Sequence, residues 1–227
     1  MRQLPLGIRL QDRAVFASFL PGSNALALAA AQQLAGMLGE SMLYLHGVAG
    51  TGKSHLLQAI CAAVPGSAYL PLTQLRDHGP EVLDGTAQRA VVAVDDLDSV
   101  AGDADWERAL FRLYNDCLGG GARLAVAAAA PAMHLHIGLP DLRSRLAAMP
   151  QFALRLLDEA QQREALRLRA AQRGIELPDE TIQYLQRRFV GDMARLHELL
   201  ERLDLASLQQ QRRLTVPFIR EILGEPT

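Results

Sequence analysis

The sequence is poor in cysteine, in aromatic residues and in long apolar runs. Its 227 residues include two cysteines, one tryptophan and 5% aromatic residues. Cys61 and Cys117 stand alone within apolar helical patterns and form no CxxC pair, so we expect both to be small buried core residues. There is no apolar run of about 18 residues, and the N-terminus lacks the pattern of a secretory signal. We therefore expect a soluble, cytoplasmic protein with no membrane partner.

An excess of charge of either sign is also absent. The 23 basic and 25 acidic residues give a formal net charge of −2, which provides no general attraction to nucleic acid or to an anionic membrane surface. We find no basic strip and no basic helix-turn-helix pattern, and we expect no direct binding to DNA. Hydrophobic residues make up 49% of the chain, which is enough for a sizeable core and argues against extensive disorder.

Short apolar runs alternate with helical patterns in the first part of the chain. The strands are predicted at 41–46, 68–70, 89–94 and 123–129, and the helices at 24–38, capped by 21–24, and at 53–63, 72–77 and 103–118. This alternation is typical of an α/β fold with a parallel sheet and helices on both faces. Only helices are predicted afterwards, at 158–173, 178–188, 192–210 and 216–223. We therefore predict an N-terminal tail over 1–20, an α/β base domain over 21–157 and a small helical lid over 158–227.

One eight-residue segment carries a phosphate-binding motif. Residues 47–54 fit the pattern GxxxxGK[ST] and are Gly47, Val48, Ala49, Gly50, Thr51, Gly52, Lys53 and Ser54. The glycines allow the backbone to wrap closely around phosphates, and the helix that follows adds the positive end of its dipole. Lys53 would supply charge to the β- and γ-phosphates, and Ser54 a hydroxyl to Mg²⁺. A glycine-rich turn without a ligand is the alternative, which the position between a predicted strand and a predicted helix disfavours.

A second predicted strand ends in carboxylates. Asp95 and Asp96 follow the apolar run of the strand at 89–94, and a parallel sheet would bring them to the edge where the phosphate loop lies. Asp95 would hold Mg²⁺ directly or through water, and Asp96 stands where an acid could orient the attacking water. The alternative is an acidic helix cap with Asp98 as a third solvated acid.

These motifs resemble those of the DnaA family of bacterial replication initiators, and more closely those of its shorter, Hda-type regulators. The resemblance starts from Gly47–Ala59 and Val94–Asp98, and it extends over nearly the whole chain through 21–24, 110–115, 138–146, 203–207 and 214–218. It implies an AAA+ fold with ATP or ADP and Mg²⁺ as ligands. The initiators carry a helix-turn-helix domain after the lid, which this sequence lacks, so the resemblance favours the regulators.

The family pattern also implies roles for single residues. Arg145 matches the arginine finger, which would act on a neighbour's nucleotide because guanidinium is planar, always charged and able to bind phosphate oxygens bidentately. An ordinary surface arginine is the alternative for Arg145 as it is for Arg143. Asn24, His55 and Arg195 are implied nucleotide contacts, although Arg195 could equally be solvated because one register puts its neighbour at the key position.

The strand at 123–129 departs from the family pattern. A polar sensor residue is expected at its end, whereas residues 127–130 are all alanine and have no side chain that can donate a hydrogen bond. We therefore expect weak ATP turnover by the chain itself. Whether it acts as an ATPase at all is left open.

The N-terminal tail resembles the short peptide by which bacterial proteins bind the DNA polymerase sliding clamp. Gln3 could bond in a small polar pocket, and Leu4, Leu6 and Ile8 could fill an apolar groove. The alternative is an apolar tail that folds onto its own domain.

Together these features favour a regulator that, with the clamp, promotes hydrolysis of ATP bound to the initiator DnaA and so restrains initiation. A finger acting in trans requires at least a transient neighbour, and we expect a homodimer or higher self-association. A self-sufficient ATPase of the loader or remodeller type and a truncated DNA-binding initiator are the alternatives. The sequence leaves open whether ADP or ATP is the working ligand.

Overall fold

A computed structural model describes residues 14–172, 174–189, 196, 199–200, 202–203, 206 and 214–224. They form two compact units, one of residues 14–48 with 52–155 and one of residues 49–51 with the described residues from 156 onward. The predicted clamp-binding residues and the predicted nucleotide contact in the lid lie outside the described residues; they are Gln3, Leu4, Leu6, Ile8 and Arg195. In the part that is described, no helix is long and apolar enough to cross a membrane.

The first unit is built on a five-stranded parallel sheet. Its strands are β1 (Met42–His46), β2 (Ala68–Pro71), β3 (Val91–Asp95), β4 (Arg123–Ala128) and β5 (Gln151–Ala153). They are arranged in the order β2-β3-β4-β1-β5, and all neighbours pair in parallel. The predicted α/β class is therefore confirmed. β5 was not predicted, because three residues, none of them buried, are too few to form a recognisable apolar pattern.

Helices cover both faces of this sheet. They are α1 (Ala25–Ala35), α2 (Lys53–Ala63), α3 (Leu72–Leu75), α4 (Ala104–Gly120) and α5 (Pro140–Ala148). Side chains of β1, β3 and β4 alternate between two apolar clusters, one shared with α1 and α2 and the other shared with α3, α4 and α5. Both cysteines are buried in these clusters, as predicted, and burial raises the pKa of Cys61 to about 12 and that of Cys117 to about 11.

The start of α1 differs from the prediction. No side chain of the segment 21–24 caps the helix, and Gly22–Asn24 form a 3₁₀ turn that leads into it. The Asn24 amide bonds elsewhere: its Nδ2 donates to the Arg155 carbonyl at 2.9 Å, and its Oδ1 accepts from the Arg155 N–H at 2.8 Å. The buried Asn24 amide thus holds the backbone at Arg155, just after β5, through two hydrogen bonds.

The described part of the second unit is helical. It contains α6 (Glu159–Gln172), α7 (Asp179–Arg188) and α8 (Val216–Leu223), and residues 196, 199–200, 202–203 and 206 are also helical. Its core includes Leu166, Leu185 and Phe218, all fully buried. Thr181 Oγ1 donates to the Leu214 carbonyl at 2.9 Å, which joins α7 to the segment before α8.

Candidate nucleotide-binding site

The carboxyl ends of three strands bring the predicted site residues to one edge of the sheet. His46 at the end of β1 is in register with Ala128 at the end of β4, and β3 beside β4 ends at Asp95. The phosphate loop follows β1 directly, and α2 begins at Lys53. A crevice outside the carboxyl ends of parallel strands is the usual ligand site of such sheets.

The loop uses glycine where the backbone requires it. Gly50 and Gly52 have φ values of 82° and 97°, a region that residues with a Cβ adopt at a cost. At Gly52 a Cβ would also lie 2.7 Å from Cε2 of Phe19. The segment before α1 therefore packs against the loop at Gly52, the residue that precedes Lys53.

Lys53 is mostly buried and is held by the loop itself. Its Nζ donates to the carbonyls of Gly47 at 2.7 Å and Val48 at 3.1 Å. Burial lowers its pKa, and the nearby carboxylates, Asp95 foremost, oppose that shift. Two backbone carbonyls thus fix the ammonium at the loop, where it would bring a full positive charge to bound phosphates.

Asp95 is a buried carboxylate, 1% exposed, with three hydrogen-bond donors. Tyr69 donates its hydroxyl to Oδ2 at 2.7 Å, the Asp96 N–H donates to Oδ1 at 3.0 Å, and Ser54 adds a side-chain bond. Burial, followed by the charge of Asp96, raises the pKa of Asp95, while these donors lower it. The Tyr69 hydroxyl in turn accepts from Gln58 Nε2 at 3.1 Å, so two further side chains hold the carboxylate in place.

Asp96 and Asp98 have separate roles at the same edge. Asp96 has left-handed backbone angles, φ 55° and ψ 45°, and its Oδ2 accepts from Thr73 Oγ1 at 3.1 Å. Strained backbone of this kind at a non-glycine residue is concentrated at functional sites. Asp98 is exposed, and its Oδ1 accepts from the Ala129 N–H at 2.8 Å, which ties down the end of β4.

The donor set suits Mg²⁺ that is shared with a phosphate. The described residues contain no group of three His, Cys, Asp or Glu that could hold a metal ion by itself. Mg²⁺ is commonly held by one or two carboxylates together with substrate phosphates and water. Asp95 with the Ser54 hydroxyl beside the phosphate loop meets that description, so the residues present fit the ion that the motifs imply.

His55 contacts the N-terminal segment. Its Nε2 lies 3.0 Å from the Val15 carbonyl oxygen and 3.1 Å from Ser18 Oγ, and its ring packs edge-on against Phe19 with 5.5 Å between centroids. These contacts fix the turn Phe16–Ser18 against the first turn of α2. The predicted contacts of His55 and of Asn24 with the nucleotide stay predictions.

Arg145 lies on the exposed side of α5. Its guanidinium carbon is 5.8 Å from the centroid of the Tyr114 ring on α4, within the range of a cation–π contact. The side chain is therefore both accessible and supported. Its assignment as an arginine finger stays a prediction.

Family models match both parts of the chain. The model of the Hda lid domain matches residues 158–223, and that of the bacterial DnaA ATPase domain matches residues 10–69. The chain is also similar to domain III of the Thermotoga maritima initiation protein DnaA, with 21% identity, a TM-score of 0.75 and coverage of 95% of this chain and 98% of that one. The chain therefore has the AAA+ fold of DnaA domain III, and its sequence is similar to the Hda lid and to the DnaA ATPase domain over the matched ranges.

Other matches agree with this AAA+ fold. AMPPCP-bound DnaA from Aquifex aeolicus is 18% identical over 88% of this chain and 68% of its own, with a TM-score of 0.68. RuvB from Thermotoga maritima is 15% identical over 95% of this chain and 73% of its own, with a TM-score of 0.64. A model of RNA helicases matches residues 43–117, the range from β1 to α4 that contains the phosphate loop and both acids.

Several residues of this AAA+ site were missed from the sequence. Tyr69, Gln58 and Thr73 all support the two acids at the end of β3. Their positions depend on the pairing of β2 with β3, in which Tyr69 is opposite Ala93. In this register Asp95 is opposite Pro71, two residues after Tyr69. The contact between the Tyr69 hydroxyl and Asp95 could therefore be recognised only once the register was known.

Proposed function

We propose that this protein is a cytoplasmic regulator of replication initiation that binds ADP or ATP with Mg²⁺ and acts on a related molecule. With the DNA polymerase sliding clamp, it stimulates hydrolysis of ATP bound to the initiator DnaA, and so restrains initiation. Its own nucleotide holds the base in the form that presents Arg145. The observation that carries the proposal is an exposed arginine, supported by an aromatic ring, on α5 of a DnaA-homologous base that is followed by an Hda-type lid sequence.

The nucleotide part of the proposal rests on the convergence at the sheet edge. Lys53 is held at the loop, Ser54 bonds to Asp95, and Asp96 follows it. Among the structural neighbours, DnaA from Aquifex aeolicus binds AMPPCP. An adenine nucleotide with Mg²⁺ is therefore the ligand that best fits these residues.

The regulatory part explains why the chain would act on a partner and turn over little ATP itself. Residues 127–130 at the end of β4 offer no polar side chain, and the backbone there is already used: the Ala129 N–H by Asp98, and the Ala130 carbonyl by the Tyr44 hydroxyl at 3.0 Å. A nucleotide site with no polar side chain at the end of β4 suits a nucleotide-stabilised effector better than an efficient ATPase.

The N-terminal segment supplies the link to the clamp in this proposal. The tail residues Gln3–Ile8 would bind in the extended form that suits a peptide-binding groove. Further along the chain, Phe19 packs on the phosphate loop at Gly52. Clamp binding would thus concentrate the regulator, and Arg145 with it, on DNA.

Arg145 variants test the proposal. Arg145→Ala should reduce the stimulated hydrolysis of initiator-bound ATP by ~10-fold or more, because an arginine finger contributes ~10³–10⁵ in rate. Arg145→Lys should be almost as poor, because ammonium lacks the planar fork. Arg143→Ala, on the same helix, is the matched control and should retain stimulation. Full stimulation by Arg145→Ala would remove Arg145 as the finger.

A self-sufficient ATPase is the second candidate, favoured by the complete set of Lys53, Ser54, Asp95 and Asp96. It predicts steady turnover without initiator or clamp, abolished by Asp96→Asn. The regulatory proposal predicts slow intrinsic turnover and an effect that appears only on the partner's nucleotide. Measuring each protein's nucleotide separately distinguishes the two.

A further inference from the structure

Two buried side chains on one face of α4 reach towards α5, the helix that carries Arg145. They are Glu107 and Tyr114, 3% and 7% exposed. A separation of seven residues is about two turns, so both lie on the same side of the helix. α4 and α5 pack against each other within the first unit.

Glu107 makes an unusual set of bonds for a buried carboxylate. Its Oε1 accepts from the N–H groups of Gly102 at 2.8 Å and Gly138 at 2.9 Å, and its Oε2 accepts from the N–H of Leu139 at 2.7 Å. Leu139 is the N-cap residue of α5, and Gly102 precedes α4. One ionisable side chain therefore joins the start of α4 to the start of α5 through backbone donors.

Tyr114 acts further along the same helix. Its ring lies 5.8 Å from the guanidinium carbon of Arg145. Arg145 follows the N-cap Leu139 by six residues, a rise of ~9 Å along α5. Glu107 thus fixes the beginning of α5, and Tyr114 supports the Arg145 guanidinium about two turns further along that helix.

We propose that Glu107 and Tyr114 are positioning residues that set where the Arg145 guanidinium meets the phosphates of a nucleotide held by a neighbouring molecule. The proposal rests on the proposed function of Arg145. A tilt of α5 by ~10° about Leu139 would move Arg145 by roughly 1.5 Å. Displacements of about 1 Å can reduce rates ~100-fold where a group must be aligned.

The chemistry of each side chain gives a discriminating substitution. Glu107→Gln keeps the size of the side chain but replaces one acceptor oxygen by an NH₂ group, which cannot accept from the backbone N–H groups that face it. Tyr114→Leu removes the aromatic face below Arg145, whereas Tyr114→Phe retains it. Arg112→Ala removes an exposed arginine of the same helix and serves as the matched control.

The test measures hydrolysis of initiator-bound ATP in the presence of DNA-loaded clamp, together with ADP affinity and the melting temperature of each variant. Glu107→Gln and Tyr114→Leu should each lower the stimulated rate by ~10-fold with ADP affinity unchanged. Tyr114→Phe and Arg112→Ala should stay within about twofold of the wild type. If Glu107→Gln does not fold, the contrast between leucine and phenylalanine at Tyr114 decides.

A double-mutant cycle separates positioning from a general structural role. In the Arg145→Ala background, Glu107→Gln and Tyr114→Leu should cause no further loss, because both act through Arg145. The positioning role alone would be overturned if each variant caused as large a loss in the Arg145→Ala background as in the wild type. It would also be overturned if both variants kept full stimulation while Arg145→Ala was defective. Full stimulation by Arg145→Ala itself would overturn this role and the proposed function together.

Discussion

Replacing Tyr69 by phenylalanine should destabilise the base domain more than the loss of an ordinary tyrosine hydroxyl would. The Tyr69 hydroxyl donates to the Asp95 carboxylate at 2.7 Å and accepts from Gln58 Nε2 at 3.1 Å. Hydrogen bonds to charged groups contribute ~1.5–3 kcal/mol, about twice the value for neutral pairs. We expect Tyr69→Phe to lower the free energy of unfolding by ~2 kcal/mol, which is roughly 4–8 °C in melting temperature for a protein of this size.

Tyr44→Phe is the matched control. Tyr44 is fully buried, and its hydroxyl donates to a neutral group, the Ala130 carbonyl, at 3.0 Å. Its loss should therefore lower the free energy of unfolding by ~1 kcal/mol. The comparison tests the charge of the acceptor, because both variants remove one hydrogen-bonded hydroxyl from a strand of the same sheet.

The effect of Tyr69→Phe should depend on pH. The donated hydrogen bond lowers the pKa of Asp95, which burial raises, so the variant's folded-state pKa lies higher still. The folded state then binds more protons than the unfolded state, and the free energy of unfolding falls as pH rises through that pKa. The loss of unfolding free energy caused by Tyr69→Phe should be complete above the pKa values of Asp95 in the folded wild type and variant, and it should shrink as pH falls through them. The loss caused by Tyr44→Phe should not change with pH.

Urea unfolding of the nucleotide-free protein in EDTA measures both variants over a series of pH values. A second assay compares ADP affinity with and without Mg²⁺. In Tyr69→Phe the gain in affinity on adding Mg²⁺ should become smaller, while the affinity without Mg²⁺ should not change. Equal, pH-independent losses in the two variants, with unchanged Mg²⁺ dependence, would refute the assigned support of Asp95.

Three other predictions concern the phosphate loop and the tail. Lys53→Ala should weaken ADP binding by ~100-fold or more in calorimetry, because the loop loses its full positive charge, and unaltered affinity would contradict the site. Gly52→Ala should lower both nucleotide affinity and stability, by ~1–2 kcal/mol for the backbone strain alone. Gly66→Ala, also at positive φ but with nothing within 4 Å of the added Cβ, is its control, and equal effects would show that the contact with the aromatic ring before α1 is unimportant. Gln3→Ala with Leu4→Ala should abolish binding to immobilised clamp with ADP affinity preserved, and retained binding would exclude this clamp motif.

The parts of the fold that depend on local pattern could be predicted. Strands β1, β3 and β4 are buried on both faces and therefore appear as continuous apolar runs. The phosphate loop has a fixed spacing and a strand and a helix on either side of it. Lys53, Ser54 and Asp95 were accordingly placed together before their geometry was known.

The parts that depend on distant contacts could not be predicted. Glu107 bonds to Gly138, 31 residues away, and Asp98 bonds to Ala129 over the same separation. Tyr69 reaches Asp95 only because β2 pairs with β3 in one register. Neither the loop conformation nor the register follows from the residue types alone, since the side chains involved are also common on solvated surfaces.

The most direct test of the account follows the nucleotide on the initiator. DnaA loaded with labelled ATP is mixed with this protein and with clamp on DNA, and the label on DnaA is measured separately from the nucleotide on this chain. The account predicts that the initiator's ATP becomes ADP only when this protein and the DNA-loaded clamp are both present. Initiator that keeps its ATP while this chain hydrolyses its own would contradict the account.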